Sequence, residues 1–145
     1  MPNYQSKQYA NNVRVSVGAL PGNMIGFYWE VPITANAANL DTFDFGVVPK
    51  GFRVFGACLE CTDIDTNASP TVTINVGDSG SANRLFAAST VGQAGTADRA
   101  LAVAGQGYLY TADTVVTGAI PTGPATGTTG TVSLALFGRF EGSAS

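Results

Sequence analysis

The chain has 145 residues, which suits one domain that buries a core without metal ions or disulfides. Charged residues make up only 12% and hydrophobic residues 45%, so we expect a neutral surface that partners cover extensively. A net charge of −3 with seven scattered basic residues excludes nucleic acid as the main partner, because phosphate binding requires clustered Lys and Arg.

Membrane insertion and secretion find no support in the sequence. No apolar run approaches the roughly 18 residues of a membrane-spanning helix, so we predict no membrane partner. The leader MPNYQSKQYANN lacks the apolar middle of a signal peptide. We therefore expect the chain to be made and kept in a cytosol, or in a particle assembled there.

The first 22 residues are polar and rich in Asn, Gln and Tyr, apart from an alternating segment at 13–17. Such a segment cannot fill a core, so we predict an N-terminal arm over residues 1–22, with a possible first strand, and a β-domain over 23–145. A disordered tail is the alternative, but tyrosines favour interfaces. The arm residues that we expect to dock are Tyr4, Gln5, Tyr9 and Arg14.

Apolar and polar residues alternate with period two wherever apolar residues cluster, which is typical of strands with one face in a core. The pattern is clearest around Val72, Ile74 and Val76. Pro-Gly, Pro-Lys-Gly and Ala-Asp turn signals separate the segments. The predicted strands cover residues 13–17, 25–31, 40–48, 52–61, 72–76, 84–87, 107–111, 114–120 and 132–136.

About nine or ten short strands, with turns at intervals of roughly 8 to 12 residues, predict an all-β fold. We expect a single-domain antiparallel β-sandwich or jelly roll with an extended N-terminal arm, because a parallel sheet would need long crossover helices. One short helix is predicted over residues 96–104, with Thr96 as its cap and Gly105 as its terminator.

The segment Gly-Asp-Ser-Gly at 77–80 resembles the nucleophile signature of chymotrypsin-like serine proteases. Ser79 would need a base to remove its proton, and the chain contains no histidine. Its two lysines, Lys7 and Lys50, fall in the polar leader and in an apparent turn, and Ser81 replaces the second glycine of the signature. We interpret the segment as a tight turn after a strand and predict no enzymatic activity.

Cys58 and Cys61 form a single C-x-x-C. In an extended strand their Cα atoms would lie roughly 10 Å apart and on opposite faces, beyond the reach of a disulfide. A zinc site would need two more soft ligands, and the chain has no other cysteine and no histidine. We predict two free thiols, without zinc or redox chemistry.

Asp63, Asp65 and Asn67 match the opening of a calcium loop. An EF-hand has glycine at its sixth position and glutamate at its twelfth, where this chain has Ala68 and Ile74. A solvated loop is the interpretation that we favour, with a calcium site of another kind as the alternative. We predict no cofactor.

The other charged residues do not combine into an acid and a base. Asp41 and Asp44 point to opposite faces of a predicted strand and cannot work as a carboxylate pair. Asp78 and Arg84 lie across a predicted turn, where we expect a local ion pair. Among the aromatic residues, alternation places Phe27 and Trp29 in the core, which weakens the alternative that residues 27–29 stack on a sugar.

The segment PTGPATGTTG at 121–130 is rich in Gly, Pro and Thr and cannot fill a core. We predict a solvated tether or an interaction arm, exposed or between subunits. The residues of this loop that we expect to contact a partner are Thr122 and Thr126.

The layout of the chain resembles the small virion structural proteins of tailed bacteriophages, particularly head decoration or cement proteins. The resemblance runs through YQSKQYANN, FDFGVVPKGFRVFGACLE, SPTVTINVGD, NRLF, GQGYLYTADTVV and GTVSLALFGRF, from Tyr4 to Phe140. It implies a β-sandwich that forms homotrimers on the capsid surface of the virion, binds the major capsid protein and stabilises the head. A carbohydrate- or receptor-binding module of a virion head fibre or tail is the alternative.

Overall fold

The computed structural model describes residues 3–5 and 24–141, and within them the chain folds as nine strands in two sheets. This arrangement confirms the predicted β-sandwich. The strands are β1 (Asn3–Gln5), β2 (Met24–Ile33), β3 (Thr42–Val48), β4 (Phe52–Cys61), β5 (Thr73–Asp78), β6 (Ser81–Ser89), β7 (Ala97–Asp98), β8 (Thr114–Thr122) and β9 (Gly130–Phe140).

One sheet has five strands in the order β1-β3-β8-β5-β6, and the other has four in the order β2-β9-β4-β7. Neighbouring strands are antiparallel, except that β1 runs parallel to β3. Strands β2 and β4 both pair with β9 along nearly its whole length. The four-stranded sheet therefore has β9 at its centre.

The core lies between the two sheets and is filled by the side chains that point inward at every second position of a strand. Phe27 and Trp29 are buried, as predicted, and their rings stack with centroids 5.4 Å apart. Phe52 packs edge-on against Phe27 at 5.1 Å. Val132, Leu134 and Leu136 of β9 are also fully buried, which confirms the period-two interpretation of that segment.

The predicted helix over residues 96–104 is wrong. Ala97 and Asp98 instead form β7, which pairs with Glu60 and Leu59 at the edge of β4. Asp98 also turns the chain, because its Oδ1 accepts a hydrogen bond from the N–H of Ala100 at 2.9 Å. Pairing with a strand edge and the aspartate turn replace the helical hydrogen bonds, and the only helical turn in the described residues is a 3-10 turn at Val91–Gln93.

Two further predicted strands and the predicted division of the chain have different outcomes. The predicted strand at 107–111 is reduced to a single bridge between Leu109 and Arg53, which backbone hydrogen bonds on both sides extend along the edge of β4. The predicted strand at 13–17 lies outside the described residues, and so do Tyr9 and Arg14. The division into an arm over 1–22 and a domain over 23–145 stays a prediction. Among the described residues, no helix is long and apolar enough to cross a membrane.

Candidate protein interface

The outer face of the four-stranded sheet carries four large apolar side chains that are exposed to solvent. We call this surface, formed by Met24, Tyr28, Phe55 and Phe137, the aromatic face. These side chains are 62%, 53%, 44% and 44% exposed, respectively. Soluble proteins rarely leave a contiguous apolar patch of this kind uncovered, so the aromatic face has the character of a protein interface.

Strand register arranges the outer face of this sheet in rows, each with one residue from β2, one from β9 and one from β4. In order along the strands, the four rows are Glu30, Ser133 and Glu60; Tyr28, Ala135 and Cys58; Gly26, Phe137 and Gly56; and Met24, Arg139 and Arg53. Each of the two middle rows has one large side chain and two small or absent ones, and the large one is in β2 in one row and in β9 in the next. The face is therefore corrugated, with ridges at Tyr28 and Phe137.

A bulge in β4 completes this surface. The register between β4 and β9 shifts between Val54 and Gly56, so Phe55 has no partner in β9 and its ring points outward. The ring of Phe137 lies directly over Gly56, where any side chain would collide with it. Alternation along each strand places Tyr28, Phe55 and Phe137 outward, but the surface that they form together was missed, because no local pattern shows that β9 lies between β2 and β4.

Opposite charges occupy the two ends of the aromatic face. At one end Glu141 accepts hydrogen bonds from Arg53 Nε at 2.7 Å and from Arg139 Nη2 at 2.6 Å. These bonds, first from Arg53 and then from Arg139, lower the pKa of Glu141 to about 2. At the other end, three rows or roughly 20 Å away, Glu30 and Glu60 are exposed.

Cys58 and Cys61 are both free thiols, as predicted. Cys58 lies on the aromatic face and is half-buried, whereas Cys61 points into the sandwich and is buried. Burial, with a smaller contribution from Asp63, raises the pKa of Cys61 to about 12. This thiol is therefore protonated and unreactive in the folded chain.

The calcium-like segment contains a buried hydrogen-bond acceptor. The interpretation as a solvated loop is wrong for Asp65, which is 1% exposed. Its two carboxylate oxygens accept hydrogen bonds of 2.7 to 3.3 Å from the backbone N–H groups of Asn67, Thr71, Val72, Ala125 and Thr126. Burial would raise the pKa of Asp65, but these backbone hydrogen bonds outweigh it and hold the pKa far below the usual range.

This arrangement does not fit a calcium ion at Asp65. Both oxygens already face N–H groups, whose positive ends repel a cation. In the part of the chain that the structure describes, no three acidic or cysteine side chains cluster as a metal site would require. The function of Asp65 is to join the loop after β4 to the loop after β8.

The loop at 121–130 is fastened to the sandwich, so the tether interpretation is wrong. The N–H of Thr126 donates to Asp65 Oδ1 at 3.0 Å, and its Oγ1 accepts from Asn67 Nδ2, also at 3.0 Å. The N–H of Gly123 donates to Asn39 at 3.1 Å. Thr122, at the end of β8, and Thr126 nevertheless keep exposed side chains, so a contact with a partner stays a prediction for both.

Two predicted arm residues lie in β1, at the edge of the five-stranded sheet. Tyr4 pairs with Phe43 in the register with β3 and packs half-buried against the core. Gln5 donates from Nε2 to Asp44 at 3.5 Å, and Asn3 donates to the same carboxylate at 2.9 Å. These residues cover the edge of β3, and docking of Tyr4 and Gln5 on a partner stays a prediction.

The predicted ion pair between Asp78 and Arg84 is confirmed. Arg84 donates from Nε at 2.7 Å and from Nη2 at 3.2 Å, and the side chain of Asp78 is only 4% exposed. The guanidinium also lies 3.8 Å from the centroid of the Tyr108 ring. Asp78 further accepts the N–H groups of Gly80 and Ser81, which confirms a tight turn at 77–80.

The fold and the sequence both relate the chain to phage capsids. At 38% identity and a TM-score of 0.75, it is similar to a chain in the cyanophage Pam1 capsid asymmetric unit, over 88% of this chain and 93% of that one. A chain in the capsid of Ralstonia phage GP4 is 31% identical with a TM-score of 0.83, over 99% of this chain and 100% of that one. A chain from the acidic stable capsid of Helicobacter pylori bacteriophage KHP30 shares the fold at 16% identity and a TM-score of 0.55, over 83% of this chain and 90% of that one.

No protein-family model matches the sequence, and no curated protein matches it significantly. The family therefore rests on the two capsid chains above 30% identity, which match from end to end or nearly so. The chain belongs to the family of phage virion structural proteins that includes these chains of the Pam1 and GP4 capsids.

Proposed function

We propose that the chain is a decoration, or cement, protein that binds the outer surface of an assembled phage head and bridges neighbouring major capsid proteins. The observation that carries this proposal is the match to a chain of the GP4 capsid over 99% of this chain and 100% of that one. A sandwich of 145 residues with few charges and an uncovered aromatic face suits a subunit whose surface is largely buried by partners.

The proposed mechanism is preferential binding to the assembled state. A protein that binds the intact shell, and not the free capsid protein, shifts the assembly equilibrium toward the shell by mass action. A homotrimer would engage several capsid proteins at once, so that weak single contacts add through avidity. The residues that we propose for contacts with the capsid or with neighbouring copies are Tyr4, Gln5, Tyr9, Arg14, Thr122 and Thr126.

We propose a mechanical and not an enzymatic role for this subunit. Among the described residues, the buried carboxylate of Asp41 accepts the N–H of Ala38 through one of its oxygens. The other two buried carboxylates are engaged at both oxygens: Asp78 binds Arg84, and Asp65 binds five backbone N–H groups. A general base must be free to accept a proton from substrate. Both groups instead hold the fold together.

The test is binding to heads that were assembled without this chain. Purified chain is mixed with such capsids and sedimented, and the melting temperature of the shell is measured. We expect the chain to sediment with the capsids and to raise their melting temperature. A chain that stays in the supernatant would overturn the proposal, and a glycan array would then test the receptor-binding alternative.

The arm is tested in the same experiment without disturbing β1. Deletion of residues 1–12 would also remove β1 and uncover β3. The double substitution Tyr9→Ser and Arg14→Ser keeps β1, and Val103→Ser, at an exposed loop position, is the matched control. Weakened sedimentation of the double variant alone is the expected result, whereas unchanged sedimentation would exclude these two residues from the contact.

A further inference from the structure

We propose that the aromatic face is covered by the aromatic face of a second copy, related by a two-fold axis that runs across the strands. This inference deepens the proposed function, on which it rests, by naming a partner for one surface. The two sheets would stack face to face, roughly 10 Å apart, as sheets do inside β-sandwiches. Rotation about this axis places each strand opposite the same strand of the second copy, running in the reverse direction. Each row of one copy therefore meets a different row of the other.

Shape complementarity is the first argument for this axis. It places the row of Tyr28 and Ala135 against the row of Gly26 and Phe137. Tyr28 then faces Gly26 of the second copy. The ring of Phe137 lies over Gly56 and therefore faces the small side chain of Cys58 of the second copy. Each ridge meets a position with little or no side chain, which is the arrangement that close packing requires.

Charge complementarity is the second argument. The same axis places the acidic row against the row of Arg53 and Arg139, where one positive charge remains in excess of Glu141. Glu60 then faces Arg53 of the second copy, and Arg53 faces Glu60 of the second copy. An axis parallel to the strands would instead set Glu30 against Glu60 and Arg139 against Arg139. Like charges in opposition are destabilising, so the face is complementary to itself in only one of these two orientations.

A two-fold contact of this kind closes after two copies and leaves the rest of the subunit free. It is compatible with a trimer built through other surfaces, because each aromatic face would then join one trimer to a neighbouring trimer. On a shell, such pairs would link trimers into a continuous layer. The layer gives the proposed cement function a lateral contact between copies, besides the contacts with capsid protein.

Gly26 offers a substitution that separates pairing from folding. A Cβ atom added at Gly26 meets no atom within 4 Å in the isolated chain, but in the pair a longer side chain there would occupy the place of Tyr28 from the second copy. We expect Gly26→Gln to fold normally and to lose pairing. Val103→Gln, at a side chain that is 87% exposed in a distant loop, is the matched control.

The measurement is the solution mass by light scattering during size-exclusion chromatography. We expect wild type and Val103→Gln to have at least twice the mass of Gly26→Gln, because pairing makes a dimer from two monomers or links each trimer to its neighbours. An unchanged mass for Gly26→Gln would overturn the inference. Binding of the wild type to capsids is measured separately. If the wild type binds capsids but Gly26→Gln has an unchanged mass, the pairing alone is refuted. If Gly26→Gln has a lower mass than the wild type but the wild type does not bind capsids, the proposed function alone is refuted.

A charge exchange tests the orientation. Glu60→Arg and Arg53→Glu would each set like charges against each other in a pair of identical variants. Because Arg53→Glu also removes the ion pair with Glu141, circular dichroism is used to select only folded protein for the comparison. An equimolar mixture restores both opposite-charge contacts, since each variant copy then faces its complement. We expect each variant alone to associate at least about tenfold more weakly than wild type, and the mixture to regain pairing. Absence of recovery in the mixture would contradict the proposed axis.

Discussion

The carboxylate of Asp65 and the backbone of Thr126, 61 residues further along the chain, are joined by a hydrogen bond of 3.0 Å. The same side chain binds the N–H groups of Thr71 and Val72. One buried carboxylate therefore fixes the loop between β4 and β5 to the loop between β8 and β9. A Gly- and Thr-rich loop that would otherwise be loose becomes part of the rigid surface of the subunit.

Asp65→Asn should destabilise the chain by at least about 3 kcal/mol. The amide replaces one accepting oxygen by a donor, which would face N–H groups of Thr71, Val72 and Ala125 without a partner. Urea unfolding followed by circular dichroism measures the change. The control is Asp63→Asn, whose amide oxygen can still accept the N–H of Asp65 and which should cost less than about 1 kcal/mol. Equal effects of the two substitutions would contradict this role of Asp65.

Stability should fall as the pH drops below about 5. Asp65 and Asp78 both have pKa values below the usual range in the folded chain, Asp65 through backbone hydrogen bonds and Asp78 mainly through Arg84, each against an opposing effect of burial. In acid the unfolded chain therefore binds more protons than the folded chain. The stabilisation from these two groups is complete above their pKa of roughly 3.9 in the unfolded chain, and it is lost as the pH falls toward their lower pKa values in the folded chain. Urea midpoints between pH 3 and 7 should show a shallower slope for Asp78→Asn than for wild type.

The pair of Arg84 and Asp78 should contribute to stability because it is bidentate and largely buried. Arg84→Gln leaves the Asp78 carboxylate buried without its cation and should cost about 3 kcal/mol in unfolding free energy. Arg99 is exposed, so Arg99→Gln should change the unfolding free energy by less than about 0.5 kcal/mol. A similar melting temperature for both variants would show that the buried pair adds nothing.

The two cysteines should differ in alkylation by iodoacetamide. Cys61 is buried and its pKa is raised to about 12, so it is almost entirely protonated at pH 8. Cys58 is half-exposed on the aromatic face and should react faster, most of all in Gly26→Gln, where no second copy covers it. Peptide mass spectrometry after timed alkylation gives both rates. A disulfide between the two, or equal rates in every variant, would contradict the structure.

Period-two alternation was enough to predict most strands, because one face of each strand packs in the core and the other faces out. The segment at 52–61 was predicted with the bounds that β4 has. Alternation alone, however, gives the wrong outward residues for the second half of β4. The bulge at Phe55 moves Ala57 and Leu59 inward and turns Cys58 and Glu60 outward, since one extra residue exchanges the two faces.

The other misses share a cause, which is that the deciding partners are distant in sequence. Asp65 looked like a solvated loop residue because two of its five donors come from residues 125 and 126. The segment 96–104 has helical character locally, but the free edge of β4 provides a partner for Ala97 and Asp98. The aromatic face likewise depends on β9 lying between β2 and β4, an order that no local pattern specifies.

The most direct test of the central claim is electron microscopy of heads assembled without this chain, imaged before and after the purified chain is added. The account predicts new density on the outer surface, located where neighbouring major capsid proteins meet and fitted by the nine-stranded sandwich. Added density inside the shell, or heads that stay unchanged at saturating concentrations of the chain, would contradict it.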